Sequence, residues 1–174
     1  MRYSWREIRI NAYKFSKDWA GKGYEKGHKQ IFYYEFFDIF GIKFQRVALF
    51  EKYVKKLNNK KGFIDLFMPG KMLVEQKSKG GNLIDAHDQA IEYFEGLKDH
   101  ELPDYVLLSD FQNFELHNLV EKSVSKFKLS ELSEHIEKFG FIVGVEKKVF
   151  QDQDPVNIKA ASLISDLYDE LSIS

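Results

Sequence analysis

The middle of the chain carries three short apolar segments separated by turn sequences, and this feature constrains the fold most. The segments are Val47–Val54, Phe63–Met68 and Met72–Lys77. Between them lie Asn58-Asn59-Lys60-Lys61-Gly62 and Met68-Pro69-Gly70-Lys71, which contain the residues that favour chain reversal. Segments of this length with such tight connections predict three successive antiparallel strands.

Helical patterns precede and follow these strands. Residues 1–20 have apolar side chains at helical spacing, and a second helix is predicted from about Tyr24 to Ile39, with Gly41 at the C-cap position. Asn82 is suited to the N-cap of a third helix that reaches about Leu97. The apolar residues expected to mark one face of the second helix are Ile31, Tyr34, Phe37 and Phe40.

The C-terminal half adds two strands and two helices. Tyr105-Val106-Leu107-Leu108 is a fully apolar strand, and Phe114 to Leu119 is predicted as a further, edge strand. An amphipathic helix is expected from Ser130 to Gly140, and a last helix from about Asn157 to Leu171. The order helix, three strands, helix, strand, with helices added at both ends, predicts an α/β (α+β) fold.

Composition narrows the class of protein. The 174 residues are 44% hydrophobic and 30% charged, which excludes a disordered tail and a membrane protein. Cysteine is absent, so a disulfide scaffold, a thiolate zinc site and a cysteine nucleophile are excluded, and we expect a cytoplasmic protein. The net charge of −1 gives no overall attraction to nucleic acid. The 16 phenylalanines are expected to fill a core, and the five histidines are too scattered for a zinc site.

Two acids and a lysine converge on the predicted hairpin. Asp65 precedes Gly70 by five residues and Glu75 follows it by five, so the two carboxylates are expected to lie side by side on adjacent strands. Lys77 is two residues after Glu75 and therefore projects from the same face. Two oxygen ligands with a neighbouring ammonium are the groups that Mg²⁺-dependent phosphodiester hydrolysis needs.

The surrounding sequence resembles a known superfamily. Gly62-Phe63-Ile64-Asp65 and Glu75-Gln76-Lys77, set among these elements, resemble the PD-(D/E)XK nucleases. Gln89-Ala90-Ile91-Glu92-Tyr93 on the next helix is similar to the Gln-xxx-Tyr element of the RecB-type branch. That resemblance implies that Gln89 and Tyr93 support the active site.

A narrower resemblance covers almost the whole chain. Five segments resemble, in the same order, the N-terminal endonuclease region of MmeI-like enzymes. They are Phe36-Phe37-Asp38-Ile39-Phe40-Gly41, Phe50-Glu51, Glu75-Gln76-Lys77-Ser78, residues 102–111 from Leu102-Pro103-Asp104 to Phe111, and Asp154-Pro155-Val156-Asn157. In those polypeptides a nuclease domain, a helical spacer, an adenine methyltransferase and a target-recognition domain are fused.

The resemblance implies a set of roles. Asp65, Glu75 and the carbonyl of Gln76 would ligate Mg²⁺, for which Mn²⁺ can substitute, and Lys77 would be the catalytic lysine. The family also has an acid on its first core helix. Glu25 is the best positional match, with Glu35 and Glu51 as rivals. Lys79-Gly80-Gly81, between the active strand and a helix, is a natural place to hold a phosphate.

The implied organisation is a nuclease domain over residues 1–150 and a C-terminal helix over residues 151–174 that leads to a spacer. The chain has no Gly-rich loop that would bind S-adenosylmethionine. This cofactor would therefore bind only in the remaining part of a longer fused enzyme. The alternative is that the chain is a standalone relative. The expected partners are double-stranded DNA and, for double-strand cleavage, a second copy. The alternatives are a RecB-like repair or recombination nuclease and a non-catalytic DNA-binding module.

Overall fold

The computed structural model describes residues 2–56 and 59–144. The predicted helix at about Asn157–Leu171, and the whole of the segment 151–174, lie outside the described residues. The elements are α1 (Trp5–Trp19), α2 (Glu25–Asp38), α3 (Phe44–Val47), β1 (Leu49–Lys55), β2 (Lys61–Met68), β3 (Met72–Gln76), α4 (Leu83–Glu92), β4 (Tyr105–Ser109), β5 (Asn113–Asn118), β6 (Ser123–Lys128) and α5 (Leu132–His135).

The six strands form one mixed sheet in the order β1-β2-β3-β4-β5-β6. β1, β2 and β3 pair antiparallel, as predicted, and β3 pairs parallel with β4. A parallel pair needs a crossover, and α4 supplies it between β3 and β4. The order α2, three strands, α4, β4 confirms the predicted α/β core with an added N-terminal helix.

The far edge of the sheet differs from the prediction. β5 is an internal strand, because β6 pairs with it antiparallel on its outer side. The prediction that Phe114–Leu119 is an edge strand was therefore wrong. β6 was not predicted from the sequence. Only Phe127 of its six residues is buried, so the segment shows no apolar alternation.

Capping residues set the ends of the first two helices, and burial of their apolar side chains packs them against the core. Ser4 and Glu7 make a reciprocal capping box at the start of α1, which buries Ile8, Ala12, Phe15 and Trp19. α2 ends before Gly41, whose φ of +70° suits glycine. The buried face of α2 differs from the expected one, because Ile31 and Tyr34 are exposed while the residues that point inward are Phe32, Tyr33, Phe36 and Phe37.

Two apolar clusters hold the layers together. The larger one joins α1, α2 and α5 to one side of the sheet and is dominated by phenylalanine, so the aromatic residues do fill the core. Phe32, for example, contacts Phe15 with ring centroids 4.9 Å apart. The smaller cluster joins α4 to the other side through Ala86, Ala90 and Tyr93. The sheet is thus covered on both faces.

Two predicted helices are shorter than their patterns indicate. α4 ends at Glu92 and continues as a 3₁₀ turn, Phe94–Gly96. Gly96 lies so close to β1 that a Cβ there would stand 2.0 Å from Val54 Cγ1. The segment from Ser130 to Gly140 is a 3₁₀ turn, the single turn α5 and a second 3₁₀ turn, since the apolar spacing of three to four residues suits either helix type. Among the described residues, no helix is both long and apolar enough to cross a membrane.

Candidate active site

The β2–β3 hairpin sets Asp65 and Glu75 opposite each other. Its register pairs Leu66 with Val74 and Met68 with Met72, and the next position along this register pairs Asp65 with Glu75. The regular ladder stops there, because the Gln76 N–H donates to Asp65 Oδ2 at 2.8 Å. Asp65 is 7% exposed and Glu75 6%, so both carboxyl groups lie inside the protein where the strands begin to separate.

Glu75 is an incompletely paired acid. Its Oε2 is buried and has no hydrogen-bond partner. Burial, followed by the negative charge of Asp65, raises the pKa of Glu75 to about 9, with Glu25 adding to the effect and Lys77 and Lys29 opposing it. A buried carboxyl oxygen without a donor, next to a second carboxylate, is a position that a cation would satisfy. The donors present therefore fit a hard divalent metal ion.

Lys77 lies beside this pair and is held in place from α4. Its N–H donates to the Ser109 carbonyl at 2.8 Å, which extends the β3–β4 pairing beyond Gln76. Its Nζ donates to Gln89 Oε1 at 2.9 Å. The positive charge of Lys77 acts on Glu75 and opposes the rise in the pKa of that acid. Asp65, Glu75 and Lys77 are thus brought together.

Tyr93 and Gln76 fix the backbone around the carboxyl groups. The buried Tyr93 hydroxyl donates to the Phe63 carbonyl at 2.9 Å, two residues before Asp65. Burial, then the charges of Glu75 and Asp65, raise the pKa of Tyr93. The fully buried Gln76 side chain accepts a hydrogen bond from the Tyr33 hydroxyl and donates to the Lys77 carbonyl at 3.2 Å.

The three acids considered for the helical position have different surroundings. Glu25 is in the first turn of α2, its N–H donates to Ser78 Oγ at 3.1 Å, and its charge acts on Glu75. Glu51 occupies the β1 position between the pairs that flank Asp65. Glu35 instead accepts a hydrogen bond from Trp19 Nε1 at 2.6 Å and contributes to raising the pKa of Asp38. The structure thus brings Glu25 and Glu51 to the site and leaves Glu35 elsewhere.

Lys29 is a member of the site that the sequence analysis missed. Its Nζ lies 2.8 Å from Asp65 Oδ1 and 2.5 Å from Glu51 Oε1. Burial lowers the pKa of Lys29, but the hydrogen bonds and charges of Asp65 and Glu51 outweigh it, so the pKa is raised. One signal was available: Lys29 is four residues after Glu25 and therefore on the same side of α2.

The segment Lys79-Gly80-Gly81 makes internal contacts where a phosphate site was expected. The Gly80 N–H donates to Asp110 Oδ2 at 3.2 Å, and the Lys79 N–H and Nζ donate to the carbonyls of Gly23 and Gly21. These donors tie the connection between α1 and α2 to the end of β4. They give the predicted phosphate contact no support.

Two of the five histidines lie close together. The rings of His87 and His117 are 5.0 Å apart. In the described part of the chain, three potential metal-ligating side chains lie within reach of a single ion at α5 and the turn before it. They are Glu131, Glu134 and His135. A metal ion held by the side chains of Asp65 and Glu75 would need a further ligand, such as the predicted carbonyl of Gln76.

Comparison with known proteins gives one family. No similar sequence was found among curated proteins. A solved structure described as a cryoEM structure of a DrdV–DNA complex overlaps 83% of this chain with a TM-score of 0.48 and 14% identity. This chain corresponds to 13% of the length of that one, and so distant a likeness assigns no property to it. The sequence model of the MmeI N-terminal domain matches residues 10–174. The chain therefore belongs to the MmeI N-terminal domain family.

Proposed function

We propose that this chain is the Mg²⁺-dependent DNA endonuclease domain of a type II restriction–modification enzyme, with a PD-(D/E)XK active site. The observation that carries the proposal is the buried Glu75 Oε2, which has no hydrogen-bond partner and lies beside Asp65. Membership of the MmeI N-terminal domain family supports it. Asp65 and Glu75 lie on the two strands of one hairpin and Lys77 directly follows the second strand, where its N–H donates to the Ser109 carbonyl, so their relative positions do not depend on a flexible loop.

The proposed metal ligands are the carboxylates of Asp65 and Glu75 and the main-chain carbonyl of Gln76. All are hard oxygen donors, which suit Mg²⁺ or Mn²⁺ better than a soft metal. The ion would supply charge neutralisation at the scissile phosphate and a water of lowered pKa. Burial of the Gln76 side chain keeps the peptide that carries this carbonyl in a fixed orientation.

Each remaining side chain has a part that follows from its contacts. The Lys77 ammonium, steadied by Gln89, donates to the attacking water or to the phosphate oxygens as negative charge develops. Gln89 acts through Lys77, and Tyr93 acts by holding the β2 backbone before Asp65, so both are positioning residues. Glu25 adds a further carboxylate next to Glu75. The proposed substrate is double-stranded DNA, and a second copy would cut the other strand.

The test is cleavage of supercoiled plasmid by the chain, alone and within the proposed fused enzyme, in Mg²⁺ or Mn²⁺. We expect nicking in either ion, none in EDTA, and loss of both cleavage and metal binding in Asp65→Asn. The Gln89 and Tyr93 arrangement on α4 also fits a RecB-like repair nuclease. Degradation of linear DNA from its ends, with closed circles left intact, would favour that alternative. Binding without cleavage in any metal would favour the non-catalytic module and contradict the proposal.

A further inference from the structure

Lys29 makes a bridge that the proposed chemistry does not require. Its ammonium, on α2, joins Glu51 of β1 to Asp65 of β2, and the side chain is 13% exposed. The Asp65 side chain is 9% exposed and that of Glu51 47%. A buried carboxylate is costly unless a donor or an ion compensates its charge. Lys29 provides that compensation from within the chain.

The bridge occupies the carboxylate that is proposed to hold the ion. Asp65 Oδ1 accepts from Lys29, and Oδ2 accepts from the Gln76 N–H. Both oxygens of Asp65 therefore already have partners inside the protein. Lys77, the other lysine of the site, is hydrogen-bonded to Gln89 instead.

The backbone of Glu51 indicates that this arrangement is built into the sheet. Glu51 has a φ of +54°, a left-handed conformation that is unfavourable for a residue other than glycine. Its neighbours Phe50 and Lys52 keep the regular pairing with Leu66 and Ile64. The irregularity is confined to the residue that stands opposite Asp65 and bonds to Lys29.

From these contacts we propose that Lys29 is a resident counter-cation of the metal centre. Its single positive charge offsets part of the negative charge of Asp65 and Glu51 while no divalent ion is bound, which lets the domain fold without metal, and the same charge opposes an ion that binds Asp65. The inference rests on the proposed metal-dependent function. It predicts that wild-type metal affinity is held below the value that the carboxylates alone would give.

The test compares Lys29→Met with wild type in the whole 174-residue chain. In EDTA we expect Lys29→Met to unfold at a lower temperature, because Asp65 and Glu51 lose their shared partner. We expect its Kd for Mn²⁺, measured by titration calorimetry, to fall by about tenfold or more. Tenfold is a lower bound, because a unit charge about 4–5 Å from a divalent ion contributes at least this factor even at the dielectric constant of bulk water. Equal or weaker Mn²⁺ binding by a folded Lys29→Met would overturn the proposal.

Two further variants keep the result interpretable. Lys71→Met removes a lysine paired with Asp104 outside the site and should leave the Kd for Mn²⁺ unchanged. Lys29→Met/Glu51→Gln removes one negative charge with the lysine, so its stability in EDTA and its Kd should return toward wild type. Lys29→Met could fail to fold in EDTA. In that case, refolding on addition of Mn²⁺, monitored by circular dichroism, supports the proposal. Failure of Mn²⁺ to restore the fold of Lys29→Met, while the double variant folds in EDTA, counts against it.

The same titrations separate this inference from the proposed function. If the wild type does not bind Mn²⁺, or binds it equally well after Asp65→Asn, the metal-dependent function itself is refuted. Wild-type binding that Asp65→Asn abolishes, combined with no tightening in Lys29→Met, would refute only the role of Lys29.

Discussion

Lys77 Nζ and Gln89 Oε1 are joined by a hydrogen bond of 2.9 Å that links the end of β3 to the middle of α4. The bond fixes the position of an ammonium group next to the buried Glu75 carboxyl. It also gives the two residues separable roles, since Lys77 would face the reacting groups while Gln89 faces Lys77. The first two predictions follow from this difference.

Replacement of Lys77 by alanine should remove chemistry without unfolding the domain. We expect cleavage of supercoiled DNA to fall by roughly 10²-fold or more, because the charge of Lys77 is proposed to act in the transition state. The unfolding temperature should stay near wild type, since Lys77 is not a core residue. Mn²⁺ binding should persist or tighten as a neighbouring positive charge is lost. Full activity in a folded Lys77→Ala variant would refute the catalytic assignment.

Changes at Gln89 should have a graded effect. Gln89→Leu keeps the size of the side chain but removes the acceptor, so we expect cleavage to fall by about tenfold, the order of one lost hydrogen bond of about 1.4 kcal/mol. Gln89→Glu retains an oxygen acceptor and should keep more of the activity than Gln89→Leu. A purely structural role predicts instead that both variants lose stability while the cleavage rate per folded molecule is unchanged. Cleavage assays and thermal unfolding on the same preparations distinguish the two cases.

The stability of the metal-free protein should fall as pH rises, through Glu75. Its pKa is raised from 4.5 to about 9 by burial and by Asp65. The folded state therefore binds the proton more tightly than the unfolded state does. This contribution to stability is fully present below about pH 4.5 and is lost as pH rises toward 9. Urea unfolding in EDTA between about pH 5 and 9 should show a decline that Glu75→Gln reduces. Parallel curves for the two proteins would contradict the assignment.

Gly96 should tolerate no side chain. A Cβ at this position would lie 2.0 Å from Val54 Cγ1 and 2.6 Å from the Lys55 carbonyl oxygen, so β1 or the turn after α4 would have to move. We expect Gly96→Ala to lower the free energy of unfolding by about 1–3 kcal/mol, as overpacking does. Gly144→Ala is the matched control, because a Cβ there meets nothing within 4 Å. Chemical denaturation of both variants measures the difference, and equal stabilities would show that the contact with β1 is not tight.

The sequence by itself determined the three antiparallel strands and the positions of Asp65, Glu75 and Lys77 on them. Pro69-Gly70 and the apolar segments on either side specify a hairpin, and the spacing of Asp65 and Glu75 from Gly70 then makes them opposite each other. The position of Lys77 follows from the two-residue repeat of a strand. These features are local, because turn residues and side-chain alternation act over a few residues, and for that reason they could be predicted.

The tertiary structure decided which distant side chains join that centre. The choice of Glu25 over Glu35, and the presence of Lys29, depend on how α2 rotates and lies against β2 and β3. Glu51 joins the site through the register of β1 on β2. The apolar residues of α2 are too many to define one face, so the sequence predicted Ile31 and Tyr34 on a face that the structure exposes. β6 has one buried residue and is specified by its pairing with β5. Contacts of this kind come from packing between elements far apart in the chain, which no local pattern encodes.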